Sequence, residues 1–251
     1  MTYCVAIKLN AGLVFLSDSR TNAGLDQIST FRKMIVYEKP GNRFMCLLSA
    51  GNLSISQSIR EILQSEHLKD PDSDEPITIW NARSMFDAAR VLGQAVRRVY
   101  DRDAESLKFA GVEFNVSLVF GGQIRGEPQR LFHVYSEGNF IESTPETLYF
   151  QIGESKYGKP VIDRVVKNDT SLLEATKCLL VSFDSTMRSN ISVGLPIDLL
   201  IYERDSFKVS YRHHIEESDP YFNMIHKQWG AGLRKVFSEL PNPDWNVTSL
   251  P

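Results

Sequence analysis

Three residues near the start of the chain could together carry out acyl transfer: a threonine at position 2, an aspartate at 18 and a lysine at 33. With Met1 removed, Thr2 carries both a hydroxyl and a free α-amine. Such an amine titrates near pH 8, so at neutral pH a working fraction is neutral and can take the hydroxyl's proton. A lysine beside that amine would lower its pKa and stabilise a developing alkoxide. Asp18 would hold the lysine charged and in place. Each residue alone is commonplace, since aspartates often end strands as turn formers and lysines often open exposed ones. The ordered set is what points to an N-terminal nucleophile.

These residues sit on runs that read as strands. Thr2 opens the alternating stretch Thr2-Tyr3-Cys4-Val5-Ala6-Ile7-Lys8-Leu9, which predicts a strand buried on both sides or at an interface. Asn10-Ala11-Gly12 turns the chain, and Leu13-Val14-Phe15-Leu16 returns to Ser17-Asp18-Ser19-Arg20. Lys33 opens Met34-Ile35-Val36-Tyr37, and Phe44-Met45-Cys46-Leu47-Leu48 runs into Ser49-Ala50-Gly51. That last loop precedes a helix start, where free amides accumulate. An acyl-transfer site needs such amides to receive the oxyanion.

On Thr2, the Ser17-Asp18-Ser19-Arg20 strand end, Lys33 and the Phe44-to-Gly51 strand and loop, the chain resembles the proteasome β-type family of N-terminal nucleophile hydrolases. Thr2 to about Arg60 is most similar to its bacterial Anbu, or ancestral β-subunit, group. The resemblance implies a four-layer α-β-β-α sandwich and catalytic roles for Thr2, Asp18 and Lys33. It also implies an oxyanion site at Ser49, Ala50 and Gly51, and self-assembly that encloses the nucleophile. The family's later support group is only loosely matched. Glu154 stands where a serine is expected, with Ser155 adjacent. Ser192 fits before a late strand, but Ser189 or Asn190 replaces the expected aspartate.

Beyond the first sixty residues, the pattern predicts a helix capped by Asn52 or Ser54, a polar loop at 69–76, and a helix opened by Ser84 with Phe86, Ala89, Leu92, Val96 and Val99 as its apolar stripe. Strands follow at 115–120 and 131–135 around a turn at Gly121-Gly122, then at 140–142 and 149–152. Helices are expected at 156–166 and 171–187, strands at 193–202 and 207–212, and a last helix from Asp219-Pro220 to about Glu239. Strand groups separated by helix pairs suit an α+β fold of two stacked sheets with helices outside. No proline- or glycine-rich linker divides residues 1–251, so they read as a single domain with a tail at 241–251.

The composition, 42% apolar and 24% charged in 251 residues, is that of a soluble globular protein. A net charge of −3 offers no general attraction for nucleic acid or anionic membranes. The three cysteines, Cys4, Cys46 and Cys178, lie in apolar runs at scattered spacings, which suits free thiols in the cytoplasm. No apolar run reaches the roughly 20 residues needed to span a bilayer. Neighbouring His213 and His214 on a strand face opposite ways, so no metal site is expected there. No cofactor is called for, and without a phosphate-binding fingerprint any ATPase or unfoldase would be a separate partner. The expected function is a self-compartmentalised threonine hydrolase acting on peptide or amide bonds. The alternatives are a non-proteolytic assembly subunit and a non-peptide amidase of identical chemistry.

Overall fold

In this computed structural model, which describes residues 2–22, 28–70 and 74–243, two antiparallel five-stranded sheets stack face to face with helices on both outer sides. The chain begins with β1 (Tyr3–Leu9) and β2 (Gly12–Asp18), then a small hairpin of β3 (Arg20–Asn22) and β4 (Ile28–Thr30). β5 (Met34–Lys39) and β6 (Arg43–Gly51) lead into α1 (Leu53–Ser65), the short pair β7 (Leu68–Lys69) and β8 (Pro76–Ile77), and α2 (Met85–Phe109). Next come β9 (Val116–Ile124), β10 (Arg130–Val134), β11 (Phe140–Glu142) and β12 (Tyr149–Gly153). Helices α3 (Lys159–Val165) and α4 (Leu172–Ser189), strands β13 (Ile197–Glu203) and β14 (Tyr211–Ile215), and helix α5 (Pro220–Glu239) complete the order. One sheet runs β12-β1-β2-β13-β14 and the other β11-β10-β9-β6-β5.

Strand alternation sorts the core into three layers. Cys4, Ala6, Phe15, Leu200 and Tyr202 from the first sheet meet Phe44, Cys46, Leu48 and Val119 from the second. The opposite faces of β1 and β2, with Val5, Ile7, Val14 and Leu16, receive Ala175, Leu179 and Phe183 of α4. α1 and α2 cover the outer face of the second sheet. Thr2 shares its parity with Cys4 and Ala6, which directs it toward the space between the sheets.

Helix starts follow their capping chemistry. Asn52, Ser84, Ser171 and Asp219 each accept a backbone N–H of the first turn, and Ser171 with Glu174 forms a capping box.

Three expectations are corrected. Gly121 and Gly122 lie inside β9 rather than in a turn. A Cβ on Gly122 would stand 2.1 Å from the Phe44 carbonyl oxygen, and one on Gly121 2.8 Å from Leu131. These glycines permit close approach; the turn comes after Ile124. Phe86 leaves the α2 stripe and is 43% exposed, its ring edge-on to Phe140. The late strands start later than expected, at Ile197 and Tyr211: residues 191–193 still turn the chain, the Val193 N–H donating to the Asn190 carbonyl, and Asp205 and Phe207, with φ of 64° and 49°, turn it again before Tyr211. The hairpin β3–β4 carries no strong periodicity and went unanticipated.

Candidate active site

Asp18 ends β2 with no exposed surface, and its two oxygens reach different parts of the chain start. Oδ1 accepts the Tyr3 N–H at 3.0 Å, and Oδ2 pairs with Lys33 Nζ at 2.8 Å. Lys33 also donates to the Arg20 carbonyl at 2.7 Å, so its ammonium spans the bend between β2 and β3. Burial pushes the Asp18 carboxyl up to about 6, while Lys33 and then the Tyr3 amide pull it back down.

Thr2 is half-buried at the open end of β1. Its carbonyl accepts the Glu154 N–H at 2.7 Å, which continues the β1–β12 pairing one step past Tyr3 and Gly153. Gly153 is required here. It has φ +80°, and a Cβ would stand 1.9 Å from the Thr2 oxygen. The nucleophile candidate is therefore held from both sides by main-chain groups, Tyr3 N–H on Asp18 and Thr2 C=O on Glu154.

The Ser49-Ala50-Gly51 loop lies alongside. The Ser49 N–H donates to the Lys33 carbonyl at 3.1 Å and its hydroxyl reaches the same oxygen at 3.4 Å. The Asn52 N–H turns the other way, to the Asn115 carbonyl at 2.8 Å. Strand alternation then aims the Gly51 N–H toward the Lys33 side, one step beyond the end of β5.

The later support group differs from the pattern in a specific way. Glu154 is buried and its Oε2 accepts from Asn190 Nδ2 at 2.8 Å. The Asn190 Oδ1 in turn accepts the Ser192 N–H at 2.9 Å. Ser192 is thus tied in by its amide. Ser155 makes no side-chain hydrogen bond among the described residues. The two departures noted in the sequence, at 154 and 190, are partners of one another. Only reading them jointly would have revealed the link.

Cys4 is fully buried with Sγ 3.7 Å from the Ser49 carbonyl, and burial together with the Asp18 charge holds its thiol well above its usual range. It is packing, not a thiolate. His213 and His214 diverge as expected, to Asp219 and Asp198 respectively.

No family model and no curated protein matches the chain. Solved structures do. Anbu (ancestral beta-subunit) from Yersinia bercovieri is 52% identical with a TM-score of 0.87, the match covering 97% of this chain and 100% of that one. Anbu from Hyphomicrobium sp. strain MC1 is 48% identical with a TM-score of 0.87, over 97% and 100% of the two chains. The Anbu complex of Pseudomonas aeruginosa, solved as a helical assembly, is 45% identical with a TM-score of 0.89, over 97% and 99%. Sharing close to half its residues and nearly its whole backbone with these structures, the chain belongs to the Anbu family of ancestral β-subunit-like proteasome homologues.

Proposed function

We propose that the chain is a self-compartmentalised threonine hydrolase of peptide or amide bonds, with Thr2 as its nucleophile after loss of Met1. The observation that carries this reading is the buried Asp18–Lys33 pair beside the chain start, with Asp18 also holding the Tyr3 amide. Thr2 Oγ attacks the carbonyl carbon while the free α-amine accepts its proton. Lys33 lowers the amine's pKa and stabilises the alkoxide as it forms. The Gly51 N–H receives the oxyanion, because the Ser49 amide is already engaged and Ala50 faces the β9 side. The amine then returns its proton to the leaving nitrogen, and water releases the acyl group by the same route. The test is amide hydrolysis by protein whose N-terminus is verified as Thr2, with labelling of that threonine by a peptide epoxyketone. No turnover and no label would favour the assembly-subunit reading.

The Asp18 titration makes a pH prediction. Below the amine's pKa, which Lys33 holds under its ordinary value near 8, log kcat/KM is expected to fall with slope one, and once Asp18 also protonates, below about 6, with slope two. In Asp18→Asn the second break disappears. A slope of one down to pH 5 in the native protein would mean that the Asp18 charge does not matter to the reaction.

Self-association belongs to this reading, because an exposed threonine hydrolase would cut its neighbours. α5 buries Phe222 and Ile225 but leaves Leu233, Val236 and Phe237 at 53%, 59% and 77% exposure. A contiguous apolar face of this kind marks an interface. Light scattering is expected to give at least a hexamer, and Leu233→Asp with Phe237→Asp to reduce it. A native species of 28.5 kDa across micromolar concentrations would defeat confinement.

A further inference from the structure

Beside Lys33 the surface sinks into a hollow of 100 Å³, whose lining includes Phe31, Arg32, Ile35, Ser49, Leu53 and Arg60. Its place is set by contacts already described. Ser49 touches the Lys33 carbonyl through both its amide and its hydroxyl, and Phe31 and Arg32 immediately precede Lys33. The hollow therefore adjoins the Lys33 main chain, lined by the two residues that precede it and by the Ser49 paired with it.

Its chemistry is lopsided. The lining holds two guanidinium groups and no carboxylate. Among the described residues, neither Arg32 nor Arg60 has a hydrogen bond or an ion pair. By contrast Arg98, Arg102 and Arg130 are each matched to a carboxylate. α1 begins in the same wall with no acidic residue in its first turn, so the positive end of its dipole is not offset there. Phe31, Ile35 and Leu53 add an apolar surface that fits methylene groups. Ser56 and Gln57 complete the lining with a hydroxyl and an amide, and a short stem ending in a carboxylate suits the whole set, guanidinium being the cation best matched to that group.

We infer that this hollow is the specificity pocket for the residue whose carbonyl Thr2 attacks, and that it selects an acidic side chain. The inference rests on Thr2 being the nucleophile, and its test separates the two. N-acetyl tripeptide coumarylamides ending in Glu, Gln, Leu or Lys are compared for hydrolysis, and the matching tripeptide carboxamides for equilibrium binding to Thr2→Ala protein. Glu is expected to exceed its isostere Gln by about tenfold in both assays, a modest factor because the arginines are exposed. Lys is expected to be worst. Arg32→Gln with Arg60→Gln should remove the Glu preference without altering the melting temperature. If nothing is cut yet Glu still binds tenfold tighter and loses that advantage in the double variant, the hydrolase reading fails and the pocket stands. Equal treatment of Glu and Gln, or a preference that survives the double variant, overturns the pocket.

Discussion

Replacing Thr2 with alanine is expected to lower amide hydrolysis by about 10⁴-fold or more while leaving the fold and the assembly intact. The size of the loss follows from what disappears. Without the hydroxyl no acyl-enzyme forms, and the residual rate is whatever the Gly51 amide and substrate positioning supply. The structural silence has an equally specific cause. Thr2 is held through its carbonyl, on the Glu154 amide, and through its neighbour's N–H, on Asp18. Both contacts are main-chain on the threonine side and persist in alanine. Epoxyketone labelling should vanish, with light scattering and melting temperature unchanged. Equal labelling of the variant would put the nucleophile elsewhere, and an active native protein whose mass retains Met1 would remove the α-amine from the mechanism.

The second large effect concerns Lys33. Lys33→Ala strands a fully buried carboxylate, a loss of about 3–5 kcal/mol where the charge must persist. Asp18 can escape part of this by taking a proton, and the sign of the pH dependence follows. Its folded pKa, about 6, lies above the ordinary value of 3.8, so between those two pH values the native state binds more protons than the unfolded one. The group's contribution to stability therefore falls as pH rises through that window. Losing Lys33 raises the folded pKa further and extends the fall upward. Lys33→Ala should consequently be destabilised more at pH 8 than at pH 5. Adding Asp18→Asn should recover part of the loss, because an amide at this position carries no charge to bury. Denaturant unfolding of the single and double variants at both pH values reads this directly. Strictly additive effects would mean that the pair contributes no coupling.

That Asp18 and Lys33 come together beside the chain start was legible from residue types and order, because they sit at the ends of the first strands, where period-two alternation is strong. The stacked-sheet order and the helix caps at Asn52 and Ser84 were legible for the same local reasons. What stayed hidden depends on contacts distant in sequence. Gly121 and Gly122 read as a turn because glycine pairs usually punctuate the chain, whereas here the Phe44 carbonyl and the Leu131 side chain leave no room for a Cβ. Glu154 and Asn190 looked like two separate departures because 36 residues divide them, yet they form one hydrogen bond. Arg32 and Arg60 carried no signal in the sequence; the turn from β6 into α1 brings them to one hollow.

The hold on Thr2 bears on how such a protein drifts over generations. The bond between Glu154 N–H and the Thr2 carbonyl is made by backbone alone, so no side-chain change at position 154 other than proline deletes it. The seat of Thr2 is inherited with the strand pairing, while the hydroxyl it presents belongs to a single side chain. A lineage can therefore lose that hydroxyl and keep its architecture, and under the proposed mechanism it would lose or regain hydrolysis by that one change. The vulnerable position is Gly153, where any added carbon would fall 1.9 Å from the Thr2 oxygen and force the first strand away from its partner.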